Sequence, residues 1–374
     1  AGFMMFKAWV EDIAEKQGKT AVIPGMEPTG HYWFALGKFL QDSGMKPVHV
    51  NPHHVKKSKE LDDNNPNKND RKDPKTIAAL VNEGRFSYPY IPTGIYAEIR
   101  SLSNLRFQTQ EELTRIKNRI ARWFAIPEYK DVYGDLMAVS GRMILKEAPL
   151  PEDIRILGVN GVNQIWRNAK LRGAGMKRAK ILVSAAEHSV GSKEAPEAAR
   201  IELKNLLNDM DVYVSRMEEL LQTIEEKLKT IPYVDKLMEI KGIGLITVSG
   251  FIAEVGDIGR FDNPKQLQKL AGYAIVANDS GKHNGESRIS YRGRKRLRYV
   301  LYEAAISLVG KNAEFKEIHE YYRTRKENPL KKMQSVVAVA CKIIRVFYTI
   351  LTKGVDYDPM KLMSDIRRPQ LQAA

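Results

Sequence analysis

The sequence predicts an α+β chain of more than one domain, and three observations lead there. Residues 1–92 alternate short β-prone runs with amphipathic helical runs, the order that builds a mostly parallel sheet with helices against it. Two long apolar periodicities of helical spacing follow, separated by residues 131–194. Residues 232–374 are again mainly helical and hold a strongly basic segment punctuated by glycines. At 374 residues there is room for two or three domains, and the 43% hydrophobic share is that of ordinary packed cores.

Taken in order, Gly2–Ile13 is an amphipathic helix and Thr20–Ile23 a short strand candidate. Thr29 can cap a helix over Gly30–Ser43, and Lys46–Val50 is a second strand candidate. Residues 51–69 are polar, basic and rich in asparagine, and are expected to be a loop. Pro74–Glu83 then has proline at the first helical position and Gly84 just past the end. Three carboxylates in this region suit a hard cation. Glu27 lies just past the first strand, and Asp70 and Asp73 stand three apart in Lys68-Asn-Asp-Arg-Lys-Asp-Pro74. Mg²⁺ prefers a few carboxylates completed by water and substrate phosphate, and α/β folds place such sites at one end of the sheet. Asp73 has another reading as the cap of the following helix, a role compatible with binding metal.

The arm of the molecule is expected in residues 93–130 and 195–231. Ile99, Leu102, Leu113, Ile116, Ile120 and Trp123 recur at helical spacings. Leu203, Leu207, Met210, Val214, Met217, Leu221, Ile224, Leu228 and Ile231 alternate steps of four and three, a heptad seam. Such a seam serves either an antiparallel pair within one chain or a coiled coil that also joins protomers. Residues 131–194 are a helical insert, whose run Leu171–Lys180 passes from a glycine turn into a helix. Pro232 ends the second long helix, and Ile240-Lys-Gly-Ile-Gly-Leu-Ile-Thr247 repeats the pattern. A tight glycine turn feeding a helix offers N–H groups and a positive dipole end to a phosphate, as in helix-hairpin-helix elements, so Gly242 and Gly244 are candidate backbone binders.

The densest chemical signal is Asp279-Ser-Gly-Lys-His-Asn-Gly-Glu-Ser-Arg-Ile-Ser-Tyr-Arg-Gly-Arg-Lys-Arg-Leu-Arg298. From Lys282 on, Arg288, Arg292, Arg294, Lys295, Arg296 and Arg298 face a single acidic residue, Glu286. Guanidinium forks bind phosphate oxygens bidentately, and glycines at 281, 285 and 293 keep the backbone close to a ligand. Leu297, Val300, Leu301, Ala304 and Ala305 then mark a packed helix that anchors the run. A serine among cations can attack a phosphodiester whose charge is neutralised. Ser280, Ser287 and Ser290 all qualify by location.

Net charge supports a polyanion partner. Sixty Lys and Arg against 45 Asp and Glu leave +15. No apolar run is read as long enough to span a bilayer, and no signal-peptide pattern is seen at the start, so no membrane partner is expected. The single cysteine, Cys341, excludes a disulfide framework and a cysteine zinc site, and is expected to be a buried small hydrophobe. A reducing cytoplasm fits, with nucleic acid as the favoured polyanion.

Two blocks carry a family resemblance. Glu27-Pro-Thr-Gly-His-Tyr, Asn51-Pro and Lys-Asn-Asp70-Arg-Lys-Asp73 resemble the N-terminal domain of the DEDD insertion-sequence transposases. Gly242-Ile-Gly, Phe261, Leu270-Ala-Gly-Tyr, Ser280-Gly, Arg288-Ile-Ser, Gly293, Leu297-Arg298 and Leu301-Tyr302 resemble their C-terminal transposase domain. Both occur in the family's order around a coiled-coil region. The resemblance implies an N-terminal RNase H-like domain similar to the Holliday-junction resolvase RuvC, with an Asp-Glu-Asp-Asp metal site. It aligns Ser280 with the family's nucleophilic serine. It also implies a structured bridge RNA that pairs with donor and target DNA, and a dimer or tetramer whose composite sites draw the serine and the carboxylates from different protomers. The family's first Asp lies on an opening strand ahead of the helix that begins near Ala1, so Glu27, Asp70 and Asp73 match the other three acidic positions and the first is expected to be missing.

The expected layout is an incomplete RNase H-like domain over 1–92, a coiled-coil arm over 93–130 and 195–231, a helical insert over 131–194 and a serine transposase domain over 232–374. The expected activity is DNA strand cleavage and exchange through a phosphoserine, assisted by Mg²⁺. A metal-dependent junction nuclease and a non-enzymatic nucleic-acid-binding protein are the alternatives. Glu27, Asp70 and Asp73 are expected to converge on one cation. Ser280 is expected to lie more than about 15 Å from them within a chain, since the second arm helix alone extends roughly 40 Å.

Overall fold

The computed structural model describes residues 1–28, 30, 32–63, 72–123, 138–189, 194–276, 279–280, 283–284 and 287–371, and is predominantly helical with a few short strands. It divides into two compact units, Ala1–Thr93 and Gly94–Ala374.

The first unit opens with α1 (Gly2–Lys16), one turn longer than its periodicity predicts. The strand candidate at Thr20–Ile23 is not a strand. Pairing instead joins β1 (Gly25–Met26) to β2 (Val48–His49) in parallel, with Gly25 opposite Val48 and Met26 opposite His49. An isolated antiparallel bridge adds Ser87 beside His49. Between the strands runs α2 (Tyr32–Asp42), and Thr29, its expected cap, lies outside the described residues. The expected loop at 51–69 is corrected over its first part, where α3 spans Pro52–Asp63. Its cause is local: the Asn51 side chain accepts the His53 N–H at 2.9 Å, and proline takes the first helical position. Lys56 and Lys57 both pair with Glu60, and Val55 is buried. Helix α4 (Lys72–Asn82) starts two residues before Pro74 and ends ahead of Gly84, whose φ is +75°. A small core of Val50, Val55 and Leu80, with Ile77, Val81 and Phe86 against it, holds α3 and α4 to the strands.

The second unit begins with the arm. Helix α5 (Gly94–Trp123) pairs with a second long helix, Pro196–Leu228. Glu98 meets Lys227 at 3.8 Å, while Arg119 and Arg122 meet Glu202 at 3.1 and 3.2 Å, so the two run antiparallel within one chain. Their seam is closed at its ends and open in its middle. Ile224 and Leu228 join Ile99 in one core, and Leu203, Leu207 and Met210 join Leu113, Ile116 and Ile120 in another. Val214, Met217 and Leu221 between them are only half-buried. The insert follows α5 in the chain as α6 (Val139–Glu147), α7 (Pro151–Asn168) and α8 (Met176–Glu187), which makes the arm's second helix α9. Trp166 is the insert's anchor, fully buried with its indole N–H donating to the Ser140 carbonyl at 2.9 Å.

Tyr233, at φ +64°, turns the chain out of the arm. A short helix α10 (Val234–Met238), the glycine turn and α11 (Leu245–Val255) follow. Then come α12 (Pro264–Ala271), a stretch whose described residues include four short strands, α13 (Lys295–Lys311), α14 (Ala313–Thr324), α15 (Lys332–Lys353) and α16 (Pro359–Leu371). Helix α15 corrects the expectation that no apolar run reaches bilayer length: its 22 residues are long and apolar enough to cross a membrane by length and composition. Here it is a core helix. Val336, Val339, Ile343, Phe347 and Ile350 are buried, and Phe347 meets Phe251 of α11 edge-on at 5.1 Å. Cys341 is packed on the same core, where burial pushes its thiol up to about 11.

Candidate active site and nucleic-acid interface

The carboxylates come from the smallest core. Gly25 lets α4 close directly on β1, since a Cβ there would stand 2.7 Å from Val81 Cγ2 and 3.0 Å from Ile77 Cγ2. Glu27 follows two residues later and is half-buried. Asp73 lies one turn before Ile77, in the first turn of α4, where a negative charge also suits the helix dipole. It is inside the helix rather than its cap. Its carboxylate is ion-paired with Lys59, a mostly buried lysine delivered by α3. The element expected to be a loop therefore positions the cation beside Asp73. Asp70 lies outside the described residues. No group of three or more His, Cys, Asp or Glu arranged for a metal occurs among the described residues. Glu27 and Asp73 are hard oxygen donors of the kind Mg²⁺ takes, while the Lys59 ammonium already occupies the Asp73 carboxylate.

Ser280 lies on a β-hairpin. Strand β3 (Ile275–Val276) pairs with β6 (Arg288–Ile289), and β4 (Asp279–Ser280) pairs with β5 (His283–Asn284), both antiparallel. Ser280 is opposite His283 in that register. Ser287 is exposed, and Ser290 Oγ donates to the Gly272 carbonyl at 3.4 Å.

The hairpin's base is laced to the end of α12. Tyr291 N–H donates to the Gly272 carbonyl at 3.1 Å, and Arg294 N–H to the Leu270 carbonyl at 2.7 Å. Gly293 is required by this approach, because a Cβ there would stand 2.4 Å from Leu270 O and 2.5 Å from Gly272 N.

The basic run divides under this geometry. Arg288, Arg292 and Lys295 are exposed. Arg294 is turned inward, where Nη1 donates to the Glu254 carbonyl at 2.7 Å and pairs with its carboxylate at 3.4 Å. Arg298 Nη1 donates to the carbonyls of Ala271 and Tyr291, both at 3.1 Å. Arg294 and Arg298, expected at a nucleic-acid surface, are thus committed to the fold. Arg296 is bonded to the Asn104 side chain of α5, and its guanidinium lies 4.4 Å from the Phe107 ring centre.

The glycine turn is fixed on α13. Gly242, at φ +102°, packs on Leu308, and its carbonyl accepts the Ser307 hydroxyl at 2.8 Å. Gly244 is the extended residue before α11, and no side chain caps that helix. Gly250 meets Val300 and Glu254 meets Arg294, so α11 and α13 run antiparallel. Arg106 and Phe107 of α5 complete this surface. Sequence reasoning missed them, because no local signal ties them to a basic segment nearly 190 positions later.

Both blocks match known proteins. The profile described as transposase of the IS116/IS110/IS902 family matches residues 234–323, and that of the IS110-type DEDD transposases matches residues 3–125. The insertion element IS116 44.8 kDa protein of Streptomyces clavuligerus, itself uncharacterized, is 25% identical over 291 residues, 76% of this chain and 71% of that protein. The 42 kDa protein of insertion element IS900 from Mycobacterium paratuberculosis is 23% identical over 295 residues, 77% of this chain and 73% of its own length. The transposase for insertion sequence element IS1111A of Coxiella burnetii is 24% identical over 292 residues, covering 76% of this chain and 65% of that protein.

Proposed function

The chain belongs to the IS116/IS110/IS902 family of DEDD-type transposases, and on that premise we propose that it cuts and rejoins DNA through a covalent phosphoserine on Ser280. The observation that carries this reading is the register position of Ser280, at the end of a hairpin whose return strand leads into exposed Arg288 and Arg292. Neither alternative serine has that combination. Ser290 donates its hydroxyl into the hairpin base, and Ser287 lies on the return strand's approach.

The step is a transesterification. The Ser280 oxygen attacks a backbone phosphorus, the bond to one sugar oxygen breaks, and the serine proton ends on that leaving oxygen. A hydroxyl from another strand then attacks the phosphoserine and releases the serine. The phosphodiester bond energy is conserved, so the exchange needs no nucleotide triphosphate. Exposed guanidiniums offset the charge gathering on the phosphate oxygens. Glu27, Asp70 and Asp73 would hold Mg²⁺, which when bound supplies Lewis-acid stabilisation of phosphate charge. Lys59 holds the Asp73 side chain in place through their ion pair. In the fuller proposal, a bridge RNA selects donor and target DNA, and the protein works as a dimer or tetramer whose serine and carboxylates come from different protomers. A net charge of +15 supports a nucleic-acid-rich assembly.

The test is to denature reactions on a supercoiled donor plasmid and look for protein attached to nicked DNA. Wild type should give the adduct; Ser280→Ala should give none while binding the same DNA. Cleavage without any adduct would instead indicate water as nucleophile, as in a metal-dependent junction nuclease. Mixing Ser280→Ala with Asp70→Ala under subunit exchange should restore part of the activity if sites are shared between protomers. A mixture as inactive as either parent, despite exchange, would remove that part of the proposal.

A further inference from the structure

The second unit contains a groove of about 1160 Å³ between α5, α11 and α13. Small-molecule pockets run to roughly 1000 Å³, so this groove has the scale of an extended ligand. We propose that it binds the backbone of a single DNA strand, with the Arg106 guanidinium as its central phosphate anchor. The inference rests on the chain acting on DNA and is independent of the phosphoserine chemistry.

Arg106 is the observation that demands a ligand. It is 6% exposed and lines the groove. Among the described residues no carboxylate pairs with it, and a second guanidinium, that of Arg296, is close by. Both lie over the same Phe107 ring, Arg106 at 4.5 Å and Arg296 at 4.4 Å from its centre. Burial, together with the positive charge of Arg296, disfavours the charged form of Arg106, whereas Tyr299 favours it. A buried cation beside another cation is a costly arrangement that ring contacts only partly offset. An anion relieves it.

The rest of the groove selects the kind of anion. Four cations (Arg106, Arg115, Lys295 and Arg296) line it against two carboxylates, Glu111 and Glu303. Each end presents a helix start that no side chain caps: Leu245–Ile246 of α11 at one, Lys295–Arg296 of α13 at the other. Such starts bind phosphate through their N–H groups. From Arg106 to Arg115 the α5 wall extends about 14 Å, more than one phosphate spacing of a strand. Tyr299, on the same wall as Lys295, is 53% exposed and offers a ring on which a base can stack. Spaced phosphate contacts beside an open aromatic face are the design of a single-strand site rather than a duplex cradle.

The experiment measures binding of the full chain to a fluorescent single-stranded DNA oligonucleotide, with the same sequence as RNA and as duplex DNA, across a salt titration. Arg106→Met keeps the stem and removes the charge. It should leave the melting temperature unchanged or higher while weakening single-strand binding roughly 10-fold or more and reducing the salt slope by about 0.7. Tyr299→Ala should weaken binding about fivefold or more with the salt slope preserved. Wild-type affinity in Arg106→Met, or a fall in melting temperature that parallels the fall in affinity, overturns the proposal in favour of a packing role. Losses confined to RNA or to duplex assign the groove to that ligand and overturn it equally. Ser280→Ala should bind the oligonucleotide as wild type does, so failure of the groove and failure of the serine chemistry are read from different variants.

Discussion

Arg294 and Arg298 stand interleaved with Arg288, Arg292 and Lys295, and nothing in their local composition separates the two groups. The fold separates them completely. The first two are turned into the hairpin base, where they satisfy Glu254 and the carbonyls of Ala271 and Tyr291. The other three face outward. The difference teaches that a basic run can be part scaffold and part ligand surface, with the scaffold cations supplying the rigidity that the surface cations need. Arg294 ties α13 to α11 and Arg298 ties it to the end of α12, so the helix start carrying Lys295 and Arg296 is held at fixed distance from the hairpin.

The strongest way to break this comparison is to remove an inward cation. Arg294→Ala leaves the Glu254 carboxylate, 9% exposed, buried without its partner. Breaking such a pair from one side costs about 3–5 kcal/mol, measurable by urea denaturation. Glu254→Gln added to Arg294→Ala should recover part of the loss, since the unpaired charge is then gone. A stability within about 0.5 kcal/mol of wild type, the scatter of neutral surface changes, would place Arg294 with the outward group.

Gly293→Ala tests the same base with no change of charge. The added methyl would meet the backbone of Leu270 and Gly272, which cannot swing aside as a side chain could. We expect a loss of about 1–3 kcal/mol, the usual cost of overpacking. If the cross-links at the base hold Ser280 in place, strand exchange should fall further than stability does. Unaltered stability would mean that the base yields freely and that Arg294 and Arg298 do not rigidify it.

These residues also show what can be read from sequence. Long helices are legible because periodic apolar residues lie on one face whatever the tertiary context: the seam through Leu203, Leu207 and Met210 marks α9, and Gly84 marks the end of α4. Helix α3 is not, because its sequence is polar and, among its described side chains, only Val55 is fully buried; its stability comes from the Asn51 cap and lysine–glutamate pairs. The first strand is misplaced by a few residues, since a two-residue pairing carries too short a pattern to register, whereas β2 falls inside the Lys46–Val50 candidate. Helix α15 escapes notice as a membrane-length run because Lys342 and Arg345 interrupt its apolar residues. At the site, the glycines and the cations are visible. Which cations turn inward depends on Glu254 and on carbonyls at the end of α12, contacts that composition does not encode. Arg106 and Phe107 look like ordinary arm residues until α13 is brought beside them.

The smallest expected effect on stability is at the outward cations, and it is the one that gives the comparison its functional meaning. Arg288 is on β6 and Arg292 just beyond it, both exposed. Exposed side chains away from caps, cores and buried pairs change stability by no more than about 0.5 kcal/mol when replaced, so Arg288→Gln and Arg292→Gln should unfold at the wild-type urea midpoint. Their effect belongs to binding. Removing one cation from a duplex phosphate lowers the slope of log affinity against log salt by about 0.9, and the double variant should show close to twice that reduction. Arg294→Ala gives the contrasting pattern: where it remains folded at low urea, its salt slope should match wild type, because its charge is engaged by Glu254. The two profiles, slope without stability and stability without slope, distinguish surface from scaffold within one segment. If Arg288→Gln and Arg292→Gln leave the slope untouched, the outward cations are merely solvated, and the nucleic-acid contacts of this unit belong to the groove beside Arg106 instead of the hairpin.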